Sequence, residues 1–197
     1  KAVYLAERLR AHGITVQCPD FNEPDFRSLT MTLMLDALES VASKLSPAPI
    51  ALVGSSLGGA LAVLAADRLA GVERVVLLAP AVMFARPGHH LLPPERIDEW
   101  RRRGALPFFH YAYGEERLLD VAFYADTERY DPFCARLSQP TLIFQGLRDQ
   151  SVDYRSVEAV ARGRGNVTLS LLDDDHQLTA SLPTMWQGIE QFLGLTS

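Results

Sequence analysis

The stretch IALVGSSLGGA, from Ile50 to Ala60, constrains the fold of this chain more than any other. Ile50-Ala51-Leu52-Val53 is a short apolar run that stops at Gly54, and Gly58-Gly59 opens a series of helix formers, Ala60 to Ala66. This order of residues predicts a buried strand, one sharp turn and a helix. Within the turn, Gly54-Ser55-Ser56-Leu57-Gly58 has the form G-x-S-x-G, which places its central serine in a strained backbone conformation at the tip. The residues two before and two after the serine approach closely at such a tip, so the expectation is that neither Gly54 nor Gly58 accepts a side chain. Ser56 is therefore the candidate nucleophile. Ser55, one position early, faces along the turn.

A chain of 197 residues is long enough for one well-buried domain and short for two, so a single domain over 1–197 is expected. A net charge of −5 leaves no basic excess to neutralise phosphates and speaks against a nucleic-acid partner. The longest nearly apolar stretch, Ile50 to Ala66, is interrupted by two serines and three glycines and lacks the character of a membrane span. Residues 1–12 form a charged amphipathic stretch without the apolar centre of a secretory signal. Cys18 and Cys134 form no metal or disulfide pattern and read as reduced thiols of a cytoplasmic protein. The chain opens directly in a helix at Lys1, and the expectation is that an upstream segment is missing.

Helical and strand patterns alternate along the chain. Lys1 to Ala11 reads as a helix closed by Gly13, Ile14 to Cys18 as a strand, and Leu29 to Leu45 as an amphipathic helix stopped by Ser46-Pro47. Val72 to Ala79 is a buried strand of the kind found in parallel sheets. From Met83 to Leu137 the rhythm breaks. That segment is rich in aromatics and arginine, is punctuated by Pro87, Pro93, Pro94 and Pro107, and reads as a helical cap without strands, over about 83–137. Alternation resumes with Thr141 to Gln145 as strand, Tyr154 to Arg162 as helix, Val167 to Leu172 as strand, and a final helix carrying Leu182, Met185, Trp186, Ile189 and Phe192 on one face.

A serine hydroxyl is a weak nucleophile at neutral pH and needs a base, with a third group to orient that base. Functional groups in a doubly wound sheet gather in loops leaving the carboxyl ends of strands. Two such loops follow: Gly146-Leu147-Arg148-Asp149, and Asp173-Asp174-Asp175-His176. Serine, acid and histidine in that order, each after its own strand, resemble the α/β-hydrolase superfamily. The turn sequence Leu52 to Gly59 is similar to that of small bacterial YqiA-like esterases and acyl-protein thioesterase relatives. The resemblance implies a mostly parallel, doubly wound sheet whose first strands are missing here. It further implies Ser56 as nucleophile, His176 as base and acid, Asp149 as orienting carboxylate, and hydrolysis of a small-molecule acyl ester or thioester with no cofactor.

Rival assignments are open at this level. Asp153 shares a loop with Asp149. Asp173-Asp174-Asp175 is either a metal site or a solvated turn, and the lack of a second ligand cluster favours the turn. His12 sits at a helix end, where the dipole favours a cation; His89, His90 and His110 fall in the cap. One oxyanion donor is expected at the Leu57 backbone N–H, while the second, usually supplied by an early loop, is absent from this sequence. Trp100, Phe108, Phe109 and Tyr111 are expected either to line an acyl pocket or to form the cap's own core. Arg101-Arg102-Arg103 is either a solvated helix face or an attractor of anions. The functional alternatives are a peptidase or acyltransferase using the same three residues, and a binding protein that keeps the turn for packing.

Overall fold

Strands covered on both faces need continuous apolar runs, and two such runs form the middle of the sheet. Val75, Val76 and Leu77 are fully buried, as is Ile143, with Leu78, Leu142 and Phe144 at 6% exposure or less. The computed structural model describes all residues except 24, 46, 85, 87–91, 111–112 and 196–197. In chain order its elements are α1 (Ala2–Ala11), α2 (Met31–Leu45), β1 (Ile50–Ser55), α3 (Leu57–Ala66), β2 (Val72–Leu78), α4 (Pro94–Arg103), β3 (Ala105–His110), β4 (Glu115–Asp120), α5 (Ala122–Thr127), β5 (Thr141–Gly146), α6 (Tyr154–Ala161), β6 (Val167–Leu172) and α7 (Leu182–Leu193).

The main sheet has the order β1-β2-β5-β6, and every pairing in it is parallel. Successive side chains point to opposite faces, so each central strand feeds two cores. Val75, Leu77 and Ile143 pack with Ala62 and Val63 of α3 and Val157 and Val160 of α6. Val76, Leu78, Leu142 and Phe144 pack with Leu5 and Leu9 of α1 and Met185, Trp186 and Ile189 of α7. Burying each large aliphatic side chain contributes about 2 kcal/mol relative to exposure. Helices on both faces make the sheet doubly wound, an α/β architecture. Helix α3 has no polar face because it is enclosed: Ala62 and Val63 meet the sheet core, while Leu61, Leu64 and Ala65 meet α2 and the segment after β2.

Two expectations need correction. Residues 14–18 pair with no strand among the described residues. Ile14 and Val16 pack instead on the core under α1 and α7. A cavity of about 660 Å³, lined in part by Ile14, Val16, Leu38, Ala51 and Val53, separates this stretch from β1. The outer edge of β1 is unpaired among the described residues, and Val53 is 41% exposed. A strand exists only through a ladder partner, and the apolar alternation of 14–18 did not supply one.

The second correction concerns the segment between β2 and β5, which is not purely helical. Its α4 is followed by an antiparallel hairpin of β3 and β4, with Phe108 opposite Arg117 and Pro107 opposite Leu118. Both strands of a two-stranded ribbon are edges, which is where a proline without an N–H is tolerated. Trp100 is the centre of this unit: it is 3% exposed, donates its indole N–H to the Leu119 carbonyl at 2.8 Å, and has the Phe108 ring at 4.8 Å. The unit is tied to α2 through Asp126, which accepts from the Thr32 N–H at 2.8 Å and the Thr32 hydroxyl at 2.7 Å.

Candidate active site

The G-x-S-x-G turn is built from the end of β1 into α3. Ser56 has φ 55° and ψ −120°, a region that L-residues with a side chain avoid. Four backbone hydrogen bonds hold it there. Its N–H donates to Leu78 O at 3.0 Å, and its carbonyl accepts from Gly59, Ala60 and Ala81 at 2.9, 3.2 and 3.0 Å. The tight approach is one-sided, which corrects the expectation for the two turn glycines. A Cβ on Gly54 would run into the Gly58 carbonyl and come within 2.9 Å of the Ala62 Cβ, whereas a Cβ on Gly58 would meet nothing within 4 Å. Gly59, not Gly58, is the second crowded position, because a Cβ there would lie 2.8 Å from the Pro80 Cβ.

Ser56, His176 and Asp149 come from three loops at the carboxyl ends of β1, β6 and β5. The Ser56 Oγ lies 2.9 Å from His176 Nε2, and His176 Nδ1 lies 2.7 Å from Asp149 Oδ2. An ionised carboxylate only accepts, so in the neutral ring Nδ1–H donates to Asp149 and Nε2 is left to accept the serine hydroxyl proton. The side chain of Asp149 is fully buried, and that of His176 is 20% exposed.

Hydrogen bonds account for the state of the acid. Burial opposes ionisation of Asp149, but the bond from His176, the Val152 and Ser151 N–H groups and Gln145 outweigh it and hold its pKa below the ordinary carboxylate value. Both backbone N–H groups reach Oδ1 at 2.8 Å. Asp153, the rival acid, instead caps α6 by accepting from the Arg155 N–H at 3.1 Å.

The acid loop and the histidine loop are stitched together. Leu147 N–H donates to Leu172 O at 2.8 Å and Arg148 N–H to Asp174 O at 3.0 Å. A Cβ on Gly146 would sit 2.6 Å from the carbonyl oxygens of Asp174 and Asp175, so this approach requires glycine. The acidic run is engaged in loop structure: Asp173 pairs with Arg148 at 3.2 Å, Asp174 accepts from Asp175 and Ser181 N–H, and Asp175 accepts from Gln177 N–H. No group of side chains able to hold a metal occurs among the described residues. Lys1 closes the far side, its ammonium donating to His176 O at 3.0 Å; burial lowers its pKa, against the pull of Asp149, Asp175 and Asp174.

The Leu57 N–H is at the first position of α3 and has no acceptor among the described residues, so it is free to donate beside the serine. The Leu57 side chain packs against the cluster containing Trp100, Leu106 and Phe123. Of the expected pocket residues, Trp100 is enclosed in the hairpin unit's own core, and Phe108 packs against it. Phe109 is 54% exposed, and Tyr111 lies outside the described residues. His110 is buried, with Nε2 2.8 Å from Asn22 Oδ1; His12 lies 3.3 Å from Glu190; His89 and His90 lie outside the described residues. Arg101 pairs with Asp98, and Arg103 and Arg96 pair with Glu99 on the exposed face of α4.

One residue at the site was not a sequence candidate. Gln145, on β5, is fully buried and reaches Asp149 Oδ2 at 3.0 Å. Its only signal is a polar side chain closing the apolar run Leu142-Ile143-Phe144.

Residues 2–193 match the model of the alpha/beta hydrolase family. No curated protein matches the chain. Among solved structures, the chain is similar to alpha/beta hydrolase domain-containing protein 10 from mouse, with a TM-score of 0.74 at 22% identity over 100% of this chain and 84% of that one. It is similar to a monoacylglycerol lipase of Paleococcus ferrophilus, with a TM-score of 0.74 at 14% identity over 98% and 88%. An esterase domain from Rhodothermus marinus aligns with a TM-score of 0.64 at 19% identity over 95% and 76%. At these identities the likeness is one of fold. No described helix is long and apolar enough to cross a membrane.

Proposed function

Because the chain belongs to the alpha/beta hydrolase family, we propose that it is a serine hydrolase that cleaves a carboxylic ester or thioester through an acyl-enzyme on Ser56. One observation carries this reading: an unbroken line of hydrogen bonds from Ser56 Oγ through His176 to a buried Asp149, at 2.9 and 2.7 Å. The hydroxyl proton passes to His176 Nε2 as Oγ attacks the substrate carbonyl, and Asp149 steadies the imidazolium that forms. The Leu57 N–H, at the positive end of α3, donates to the developing oxyanion. Collapse of the tetrahedral intermediate expels the alcohol or thiol, which takes the proton from Nε2. Water, deprotonated by the same nitrogen, then attacks the acyl-enzyme and restores the serine.

The lipase and esterase among the similar structures are named for work on esters, which supports an ester as the substrate class here. The test is labelling with a fluorophosphonate followed by peptide mass analysis. Ser56 is expected to carry the adduct, and Ser56→Ala to lose ester turnover by about 10⁴-fold or more with an unchanged melting temperature. A folded protein with Ser56 unlabelled defeats the proposal.

A further inference from the structure

Gln145 is the one polar residue in the run from Leu142 to Gln145, and its burial is complete. A buried amide is costly unless its hydrogen bonds are made, and this one makes them on one side only. The two hydrogens of Nε2 are shared among Asp149 Oδ2 at 3.0 Å and the carbonyls of Val152 and Gly146, each at 3.2 Å, while Oε1 has no partner among the described residues. Methionine or leucine would fill similar volume without an orphaned oxygen. What the amide offers in exchange is therefore found where its N–H groups point.

The shortest of these contacts is to the acid. Oδ2 of Asp149 is the oxygen that faces His176 Nδ1 at 2.7 Å, and Oδ1 is already held by the Ser151 and Val152 N–H groups. Those two bonds anchor one oxygen but leave the carboxylate able to pivot about it. A donor from β5 on the second oxygen removes that freedom. We infer that Gln145 is a positioning residue: from the rigid strand behind the site it aims Oδ2 at the His176 ring and shares that oxygen's negative charge with the imidazole. This rests on the hydrolase reading of the same three residues. Gln145 touches no substrate and is not itself catalytic.

The charged group beside this pair is Lys1, whose ammonium donates to His176 O and feels Asp149, Asp175 and Asp174, and the Ser56 hydroxyl lies on the other ring nitrogen. Substitution at 145 leaves all of them in place. The test is Gln145→Met, which keeps the volume and removes the donor. An unshared Oδ2 binds the ring proton more strongly and the carboxylate pivots more freely. The expected results are a kcat lower by about tenfold, the scale of one hydrogen bond to a charged group, with KM nearly unchanged. The acid limb of the kcat/KM profile moves to higher pH, and the His176 Nδ1–H proton resonance moves downfield.

If Gln145→Met does not fold, Gln145→Asn, whose amide stops one methylene short of Asp149, is read in the same way. A lower melting temperature with the acid limb and the proton resonance both unmoved assigns Gln145 to packing and overturns the inference. Wild-type protein that neither labels at Ser56 nor hydrolyses esters removes the hydrolase reading and this inference with it. An active wild type whose variant keeps its limb and resonance removes the inference alone.

Discussion

The turn after β1 and the loop after β5 each present one side chain to His176, yet they hold it by different means. Ser56 is held by backbone crowding: a positive φ, a neighbouring glycine with no room for a Cβ, and main-chain hydrogen bonds to β2 and the residues after it. Asp149 sits in an unstrained loop and is held through its own carboxylate, by Ser151, Val152, Gln145 and His176. The first arrangement is sensitive to added volume and the second to lost donors. The difference follows from the chemistry. A nucleophile must keep its oxygen free for substrate, so the protein fixes the residue through the backbone. An orienting acid never leaves its partner, so every lone pair can be used to hold it.

Each half of this comparison can be broken separately. Asp149→Asn leaves the turn at Ser56 intact but replaces an acceptor by a donor or a weaker acceptor at Nδ1, and kcat should fall by about 10³–10⁴-fold; steady-state ester hydrolysis measures it, with circular dichroism confirming the fold. Gly54→Ala drives a methyl into the backbone of Gly58, which cannot move without shifting α3. A loss of about 3 kcal/mol or more is expected in urea unfolding.

Acid titration probes the hydrogen-bonded side. Asp149 and Asp174 both have pKa values held below the ordinary carboxylate value, in each case by hydrogen bonds that outweigh the opposing effect of burial. Their ionised forms therefore favour the folded state, a contribution fully present above the unfolded carboxylate pKa and lost as pH falls through the folded one. Melting temperature should drop below about pH 4. Asp174→Asn should blunt that drop while costing about 1 kcal/mol at neutral pH. The smallest effect sharpens the crowding argument: Gly58→Ala, at an open position in the first turn of α3, should be neutral or stabilising by up to about 1 kcal/mol. Equal damage from Gly54→Ala and Gly58→Ala would show that the turn is crowded from both sides.

Legibility varied with how local the cause was. The strands at 50–55, 72–78, 141–146 and 167–172 and the flanking helices were readable because apolar period and glycine or proline stops act over a few residues. The β3–β4 hairpin was not readable. Pro107 and the charged Glu115-Glu116-Arg117 argue against strands in any sheet with a solvent-shielded edge, and a two-stranded ribbon, in which both strands are edges, relaxes both objections. The stretch 14–18 misled in the opposite direction, since its alternation reflects packing of Ile14 and Val16 on the α1–α7 core and not a ladder. The G-x-S-x-G spacing points to Gly58, yet Gly59 is the crowded position, because which glycine is crowded depends on where Pro80 passes.

The order serine, acid, histidine and the strand before each one are properties of the chain alone, set by residue type and spacing, and they determined which side chains are candidates. Only the tertiary structure decided that Asp149 and not Asp153 faces the imidazole, since both lie in one loop and the choice depends on which of them caps α6. Only it brought a buried glutamine to the back of the carboxylate. The physical reason is range. Propensity and periodicity act over a turn or two, whereas the contact between Ser56 and His176 spans 120 residues and exists only because parallel strands deliver their carboxyl ends to the same side of one sheet.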